Sequence, residues 1–278
     1  MINFSKMHGA GNDFIIFKAE EANGIDYSTL AKKVCDRHFG IGADGMMIVE
    51  ESQTSDVKMQ YYNSDGSIGE MCGNGIRCFS KFVFEKEIVK KDVLTVETLA
   101  GVKEIKLTLA DDSRVKTILV DMGKPILRAE DVPVNTDKEM FINESIRIGE
   151  SSITASSILM GVPHTVIFVE NINQEELCIL GPKIEKYSIY PKNTNVNFAQ
   201  VVNKGFMKVD TWERGAGKTL ACGTGVCASV YVAYRLNNVG NNVKVDIPGG
   251  TLNIYINEDD RVFMEGTAEF ICDGKFYI

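Results

Sequence analysis

The chain carries one short phrase twice, and this repetition constrains its fold more than any other feature. Met71-Cys72-Gly73-Asn74-Gly75-Ile76 recurs as Ala221-Cys222-Gly223-Thr224-Gly225-Val226, with the two cysteines 150 positions apart. Each copy opens an apolar segment that reads as a helix, over 75–86 and 225–237. The second is apolar nearly all round (Val226, Cys227, Ala228, Val230, Val232, Ala233, Leu236), the pattern of a buried helix. The match extends outward: Asn63 and Glu213 each stand nine positions before their cysteine, ahead of turn-rich loops. Asn12 precedes Cys72 by 60 positions and His164 precedes Cys222 by 58, each three residues after a glycine and leading into an apolar strand. Three features at near-equal offsets imply an internal duplication, hence two domains with a boundary near 120.

Period-two patterns rich in Val, Ile, Phe and Tyr mark strands at 13–19, 46–50, 57–62, 93–97, 103–109, 116–120, 165–170, 195–201, 206–212, 243–247, 252–256, 262–265 and 270–278. Many are separated only by turn residues, so a mostly antiparallel sheet is expected rather than a βαβ array. Two further helices are expected: 27–38, with Asp26 as N-cap, and 174–187, with Pro182 marking a break. The expected class is α/β in the α+β sense: a sheet wrapped around a central helix, done twice.

Bulk properties exclude several functions. The 278 residues carry a formal net charge of −8, which disfavours nucleic acid and anionic membrane as partners. No run approaches the ~20 apolar residues of a membrane span, and residues 1–6 do not begin a secretory leader. Seven cysteines, an odd number, argue against a disulfide framework. The spacings Cys72-x5-Cys78 and Cys222-x4-Cys227 do not match structural zinc pairs, and three histidines add little, so no metal is expected. Cys35, Cys78, Cys178, Cys227 and Cys272 sit in apolar periodic contexts and are expected in the core.

A thiol at a helix N-terminus has chemistry available to it. The free group has a pKa of about 8.5, and the helix end lowers it. Inverting a carbon that carries an acidic hydrogen needs a base on one face and an acid on the other, and a thiolate–thiol pair supplies both. The glycines beside each cysteine let a ligand approach the backbone N–H groups of Gly73, Asn74, Gly223 and Thr224. These can hold a carboxylate and stabilise the charge that builds up on deprotonation. No cofactor is needed.

The residues resemble the diaminopimelate epimerase family. Matching segments are Met7-His8-Gly9-Ala10-Gly11-Asn12-Asp13-Phe14, Asn63-Ser64-Asp65-Gly66-Ser67 with Glu70 through Cys78, Gly161-Val162-Pro163-His164, Asn195-Val196-Asn197-Phe198, and Glu213-Arg214-Gly215-Ala216-Gly217 through Gly225. The resemblance implies two pseudo-symmetric domains, 1–120 with about 267–278 and 121–266, with the active site in the interdomain cleft. It implies Cys72 and Cys222 as the acid/base pair, with His164 assisting Cys72. Glu213 would assist Cys222 and hold the reacting amino group. Asn12, Asn63, Asn195 and Arg214 would hold the distal end of the substrate. The reaction would convert LL- to meso-diaminopimelate, in the cytoplasm, on the route to lysine and peptidoglycan, and a homodimer is compatible with it. Val162 and Gly45 depart from a common form of the pattern, where Asn and Gln occur, and both bear on the distal end.

Two other enzymes remain compatible with the residues: a racemase of the same fold acting on another amino acid such as histidine, and a carboxylate-using isomerase, which the presence of both cysteines disfavours. A redox-sensing module in which Cys72 and Cys222 form a disulfide is the non-enzymatic alternative.

Overall fold

A computed structural model describes residues 1–22 and 24–278. The chain divides into two compact units, Met1–Asp121 with Glu265–Ile278, and Met122–Met264.

In the first unit, strand Asn12–Lys18 lies parallel to Gly45–Glu50 in the register Phe14 to Gly45, and helix α1 (Tyr27–Cys35) makes the crossover. Gly45–Glu50 pairs antiparallel with Val57–Asn63, placing Gly45 opposite Asn63. A short hairpin to Ile68–Gly69 follows. Helix α2 (Gly73–Glu85) then leads to Val93–Thr98, which returns parallel to Val57–Asn63. Strand Ile2–Gly9 pairs with Asn12–Lys18 on one side and Glu269–Phe276 on the other.

The second unit repeats this order. Val162–Phe168 lies parallel to Asn195–Asn203 in the register His164 to Asn195, with helix α3 (Gln174–Glu185) between them in sequence. Asn195–Asn203 pairs antiparallel with Phe206–Glu213, and a hairpin to Gly217–Lys218 follows. Helix α4 (Gly223–Arg235) leads to Asn242–Ile247, parallel to Phe206–Glu213. Antiparallel pairs dominate, but each unit contains two parallel crossovers that turn-based reading of the sequence did not anticipate. A crossover connection spans many residues and leaves no local turn signal.

The strand register corrects one sequence-level equivalence. Asn12 and Val162 are each the first residue of their strand, and each stands 60 positions before its cysteine. The counterpart of His164 is therefore the buried apolar Phe14, since each faces the first paired position of the neighbouring strand. The polar side chain at His164 is particular to the second unit.

Other boundaries shift for identifiable reasons. Helices α2 and α4 start at Gly73 and Gly223, two residues earlier than their apolar runs, because the cysteine itself is the N-cap. Helix α1 ends at Cys35 rather than at 38: the Asp36 carboxylate accepts from the amides of His38 and Phe39, 2.7 Å each, and turns the chain. Helix α3 runs through Pro182 unbroken, since it ends three residues later and little of its hydrogen bonding is left to lose. Strands Ile2–Gly9, Phe141–Ile148 and Ser151–Met160 carry no clear period-two pattern. Their Ser, Asn, Lys and Glu content hides the period, and pairing with neighbours fixes them. Cys35, Cys78 and Cys227 are buried, but Cys178 and Cys272 are exposed. Cys178 follows inward-facing Leu177 on α3 and so faces outward, and the last strand is mostly exposed.

Helix α2 is buried along Gly73–Val83 despite carrying Arg77 and Lys81. Arg77, fully inaccessible, donates to Gly73 O (3.0 Å), Thr267 O (3.2 Å) and Asn74 Oδ1 (3.0 Å). Lys81 pairs with Glu85 at 2.9 Å and donates to Val115 O at 2.7 Å. Buried cations are tolerated only when their donors are satisfied in this way. Among the described residues no helix is long and apolar enough to cross a membrane, and no group of three or more His, Cys, Asp or Glu could hold a metal ion.

Candidate active site

Each cysteine is set by the same local device. An extended residue (φ −131° at Cys72, −118° at Cys222) ends the loop, and the helix begins at the following glycine. The amides of Gly73, Asn74 and Gly75, and of Gly223, Thr224 and Gly225, form the first turns, where helical N–H groups have no intrahelical acceptor. At Cys72 the sulfur accepts from Gly75 N at 3.4 Å. At Cys222 the sulfur lies 3.6 Å from Thr224 Oγ1. The second glycine of each motif is needed for space: a Cβ at Gly75 would lie 2.2 Å from Met47 Cε and 3.3 Å from Cys72 Cβ. A Cβ at Gly225 would lie 2.2 Å from Asn197 Oδ1 and 3.2 Å from Cys222 Sγ.

In the first unit a directional chain of hydrogen bonds reaches the sulfur. Arg77, which can only donate, gives to Asn74 Oδ1, and Asn74 Nδ2 donates to Asn12 Oδ1 at 3.3 Å. Asn12 Nδ2 donates to the Asp44 carboxylate at 2.6 Å. With a pure donor at one end and an acceptor at the other, both amides have one orientation. Asn12 Oδ1 therefore faces the Cys72 sulfur at 3.6 Å. Asp44 also binds Arg37 at 2.7 Å, and Arg37 grips Asp13 with both terminal nitrogens. Burial pushes the Asp13 carboxyl up, but Arg37 and Lys6 outweigh it and hold it below its ordinary value. Asp44, which reads from sequence as a simple turn residue, is thus the anchor of Asn12. Asn63 lies opposite Gly45, two strands from Asn12, its Oδ1 accepting from Tyr61 Oη (2.9 Å) and its Nδ2 donating to Ser67 Oγ (2.9 Å). Tyr61 also explains Gly45: a Cβ there would lie 2.7 Å from the Tyr61 ring, so the aromatic side chain occupies the space a residue at 45 would fill.

In the second unit His164, Asn195, Asn197 and the 213–214 pair meet at adjoining strand ends. Asn197 Nδ2 donates to Thr165 O (3.2 Å) and lies 3.3 Å from His164 Nδ1, while Asn197 Oδ1 accepts from Thr211 Oγ1 (3.0 Å). The Thr165 carbonyl fixes the amide, so His164 Nδ1 accepts and the ring proton sits on Nε2. Burial, aided by the charge of Arg214, pushes His164 down to about 3. The ring is therefore neutral at physiological pH, and its buried Nε2 has no hydrogen-bond partner among the described residues. Asn195 donates to Pro163 O (3.0 Å) and accepts the Arg214 amide (2.9 Å). Arg214 donates to Lys192 O (2.8 Å), and Glu213 accepts from Thr219 Oγ1 (2.6 Å). Val162, the strand's first residue, supplies no polar group.

The structure thus gathers Cys72 with Asn12 and Asn74, holds Asn63 with Tyr61 and Ser67 opposite Gly45, and gathers His164 and Asn195 with the 213–214 pair. Sequence reasoning missed Asp44, Arg77, Asn197 and Tyr61. The signals were present for two of them: Asn197 shares a strand face with Asn195 by period two, and Arg77 is a charge set between the apolar Ile76 and Cys78.

The fold is one used by amino-acid racemases and their relatives. A PhzF-family phenazine biosynthesis protein from Bacillus anthracis superimposes with TM-score 0.74 at 15% identity, over 100% of this chain and 99% of that one. A hydroxyproline epimerase from Agrobacterium vitis gives 0.73 at 12% identity, over 98% and 91%. At the level of sequence the match is narrower. The diaminopimelate epimerase family model matches residues 4–127 and 156–271. Diaminopimelate epimerases of Alkaliphilus metalliredigens and Clostridium perfringens are each 50% identical, over 99% of this chain and 97% and 99% of theirs. That of Methanococcus maripaludis (strain S2 / LL) is 41% identical over the full length of both chains. The chain belongs to the diaminopimelate epimerase family.

Proposed function

We propose that this chain converts LL-diaminopimelate to the meso form by proton exchange between two thiols and the α-carbon. The observation that carries the reading is that Cys72 and Cys222 hold the same position, N-cap of a buried helix after a short hairpin, in a chain of this family. One sulfur, as thiolate, takes the α-hydrogen. The electron pair left on carbon is delocalised toward the carboxylate. The other sulfur, as thiol, gives its proton to the opposite face, and the two sulfurs end with their protonation states exchanged. Reaction in the reverse sense starts from that exchanged state. The reading requires both halves of the chain to serve one α-carbon.

The first-turn amides of Gly73, Asn74, Gly223 and Thr224 hold the reacting carboxylate and stabilise its developing charge. Glu213 supports Cys222 and receives the amino group. His164, neutral with its proton on Nε2, supports Cys72 as a hydrogen-bond donor to the thiolate and takes no proton itself. Asn12, Asn63, Asn195 and Arg214 hold the distal carboxylate and amine, for which a guanidinium and oriented amides are suited. Two domains, 1–120 with 267–278 and 121–266, would supply one thiol each. On this reading the enzyme needs no cofactor and works in the cytoplasm, upstream of lysine and peptidoglycan, and is compatible with a homodimer.

The test is deuterium wash-in at the α-carbon in D2O, with LL-diaminopimelate set against a panel of L-amino acids that includes histidine. Wash-in and inversion are expected for diaminopimelate alone. No turnover of it beside fast exchange in another amino acid would overturn the substrate. Cys72→Ala and Cys222→Ala should each lower inversion in both directions by at least ~10³-fold, and substantial activity left in either would overturn the two-thiol scheme.

A further inference from the structure

Glu185 lies outside the proposed reacting set, yet it touches both flanks of the Glu213–Arg214 pair. It is the last residue of α3 and is buried. Its two carboxylate oxygens have separate donors: Trp212 Nε1 reaches Oε2 at 2.8 Å, and Gly215 N reaches Oε1 at 3.2 Å. These donors sit immediately before and immediately after the pair. The amide of Arg214 is held from another side by Asn195 Oδ1 at 2.9 Å.

Helix α3 is shaped to deliver this carboxylate. Gly181, one turn earlier on the same face, leaves room for the indole: a Cβ there would lie 2.7 Å from Trp212 Cγ. The end of the helix is fastened by Thr194 N, which donates to Glu185 O at 3.2 Å. A carboxylate is the side chain that matches two converging N–H donors, because it offers two acceptors and no donor. Glutamine, of the same shape, would turn an NH2 toward one of them.

We propose that Glu185 is a positioning residue: by holding the Trp212 indole and the Gly215 amide, it sets where Glu213 and Arg214 present their side chains to substrate. The kinetic half of this rests on the roles given above to Glu213 and Arg214. The structural half does not. A misplacement of the order of 1 Å in such a segment costs up to ~10²-fold in rate.

Glu185→Gln and Trp212→Phe test the proposal together. In Glu185→Gln, kcat should fall and KM rise, together lowering kcat/KM about 10- to 100-fold, because the pair serves both the reacting group and the distal end. Backbone amides of 213–217 should exchange faster with solvent deuterium while those of α4 keep their protection. Trp212 is the chain's single tryptophan, so its fluorescence reports on this seat alone, and its emission should shift to the red. Trp212→Phe keeps the Gly215 contact and should move kinetics and exchange in the same direction by less. A lower Tm with kcat and KM at wild-type values, or unchanged exchange at 213–217, would overturn the proposal. If Glu185→Gln does not fold, the same kinetic and exchange measurements on Trp212→Phe decide, and wild-type values there overturn it. If the wild-type protein does not turn over diaminopimelate, the functional reading fails, and exchange at 213–217 alone then decides the role of Glu185.

Discussion

Replacing Gly225 with alanine adds one methyl group at the most crowded point of the second half-site. The new carbon would stand 2.2 Å from Asn197 Oδ1, where ordinary contact begins near 3.4 Å, so the amide must retreat by about 1 Å. It has nowhere inexpensive to go. Asn197 is fully buried, accepts from Thr211 Oγ1, donates to Thr165 O and contacts His164 Nδ1. Each buried hydrogen bond broken so as to leave an orphaned group costs ~1–3 kcal/mol. The gain in helix propensity from Gly to Ala returns at most about 1 kcal/mol. With two bonds disturbed, a net loss of ~1–5 kcal/mol is expected, and Tm should fall by roughly 2–20 °C. The equivalent Gly75→Ala is expected to be milder. Its methyl would meet Met47 Cε at 2.2 Å, the end of a flexible side chain that can rotate away. Overpacking of ~1–3 kcal/mol less the same propensity gain leaves about 0–2 kcal/mol. Thermal and urea unfolding of both variants, followed by wash-in at the α-carbon, make the comparison. Gly225→Ala should also lose most of its activity, since the methyl crowds the Cys222 sulfur at 3.2 Å. Equal stability of Gly225→Ala and wild type, or a greater loss in Gly75→Ala, would refute the reasoning.

Acid sensitivity should carry a His164 component. Its folded-state value of about 3 lies below the ~6.5 of an unfolded histidine, so the unfolded chain takes up this proton first. The contribution to stability is complete above pH 6.5 and is lost as pH falls toward 3, by up to ~1.4 kcal/mol per pH unit. His164→Gln should flatten that part of the urea-unfolding profile, and an unchanged slope would show that the histidine does not titrate on unfolding. Thiol mapping with iodoacetamide should label exposed Cys178 and Cys272 in the native protein at pH 8. Cys35 and Cys78, which burial pushes up to about 12, should stay unlabelled until denaturant is added, and early labelling of either would contradict its burial.

The duplication was legible because it is written in features that survive local reading: a cysteine before two glycines, an apolar run after it, and a polar residue nine positions ahead. The central helices followed from composition alone, since a helix apolar nearly all round has to be enclosed. The beginnings of those helices were not legible. Gly73-Asn74 and Gly223-Thr224 read as loop ahead of the apolar runs, and they become helix because each cysteine takes the N-cap position and the surrounding sheet encloses the turn. Cys178 and Cys272 show the opposite error, since an apolar-looking neighbourhood does not say which face of an element is covered.

Sequence by itself determined the two-fold plan and the twin thiols at twin helix starts. Spacing along the chain carries that information, and short-range chemistry enforces it. Tertiary structure alone decided how the polar side chains are oriented and charged. Asn12 points its oxygen at Cys72 because Asp44 and Arg77, 32 and 65 positions further along the chain, close the hydrogen-bond chain from both ends. His164 is neutral because strands brought together by a crossover remove it from water. Glu185 reaches Trp212 and Gly215 because helix α3 packs against the strand Phe206–Glu213, which carries Trp212 and turns at Gly215. Hydrogen-bond direction and desolvation depend on neighbours distant in sequence, and only the folded chain assembles them.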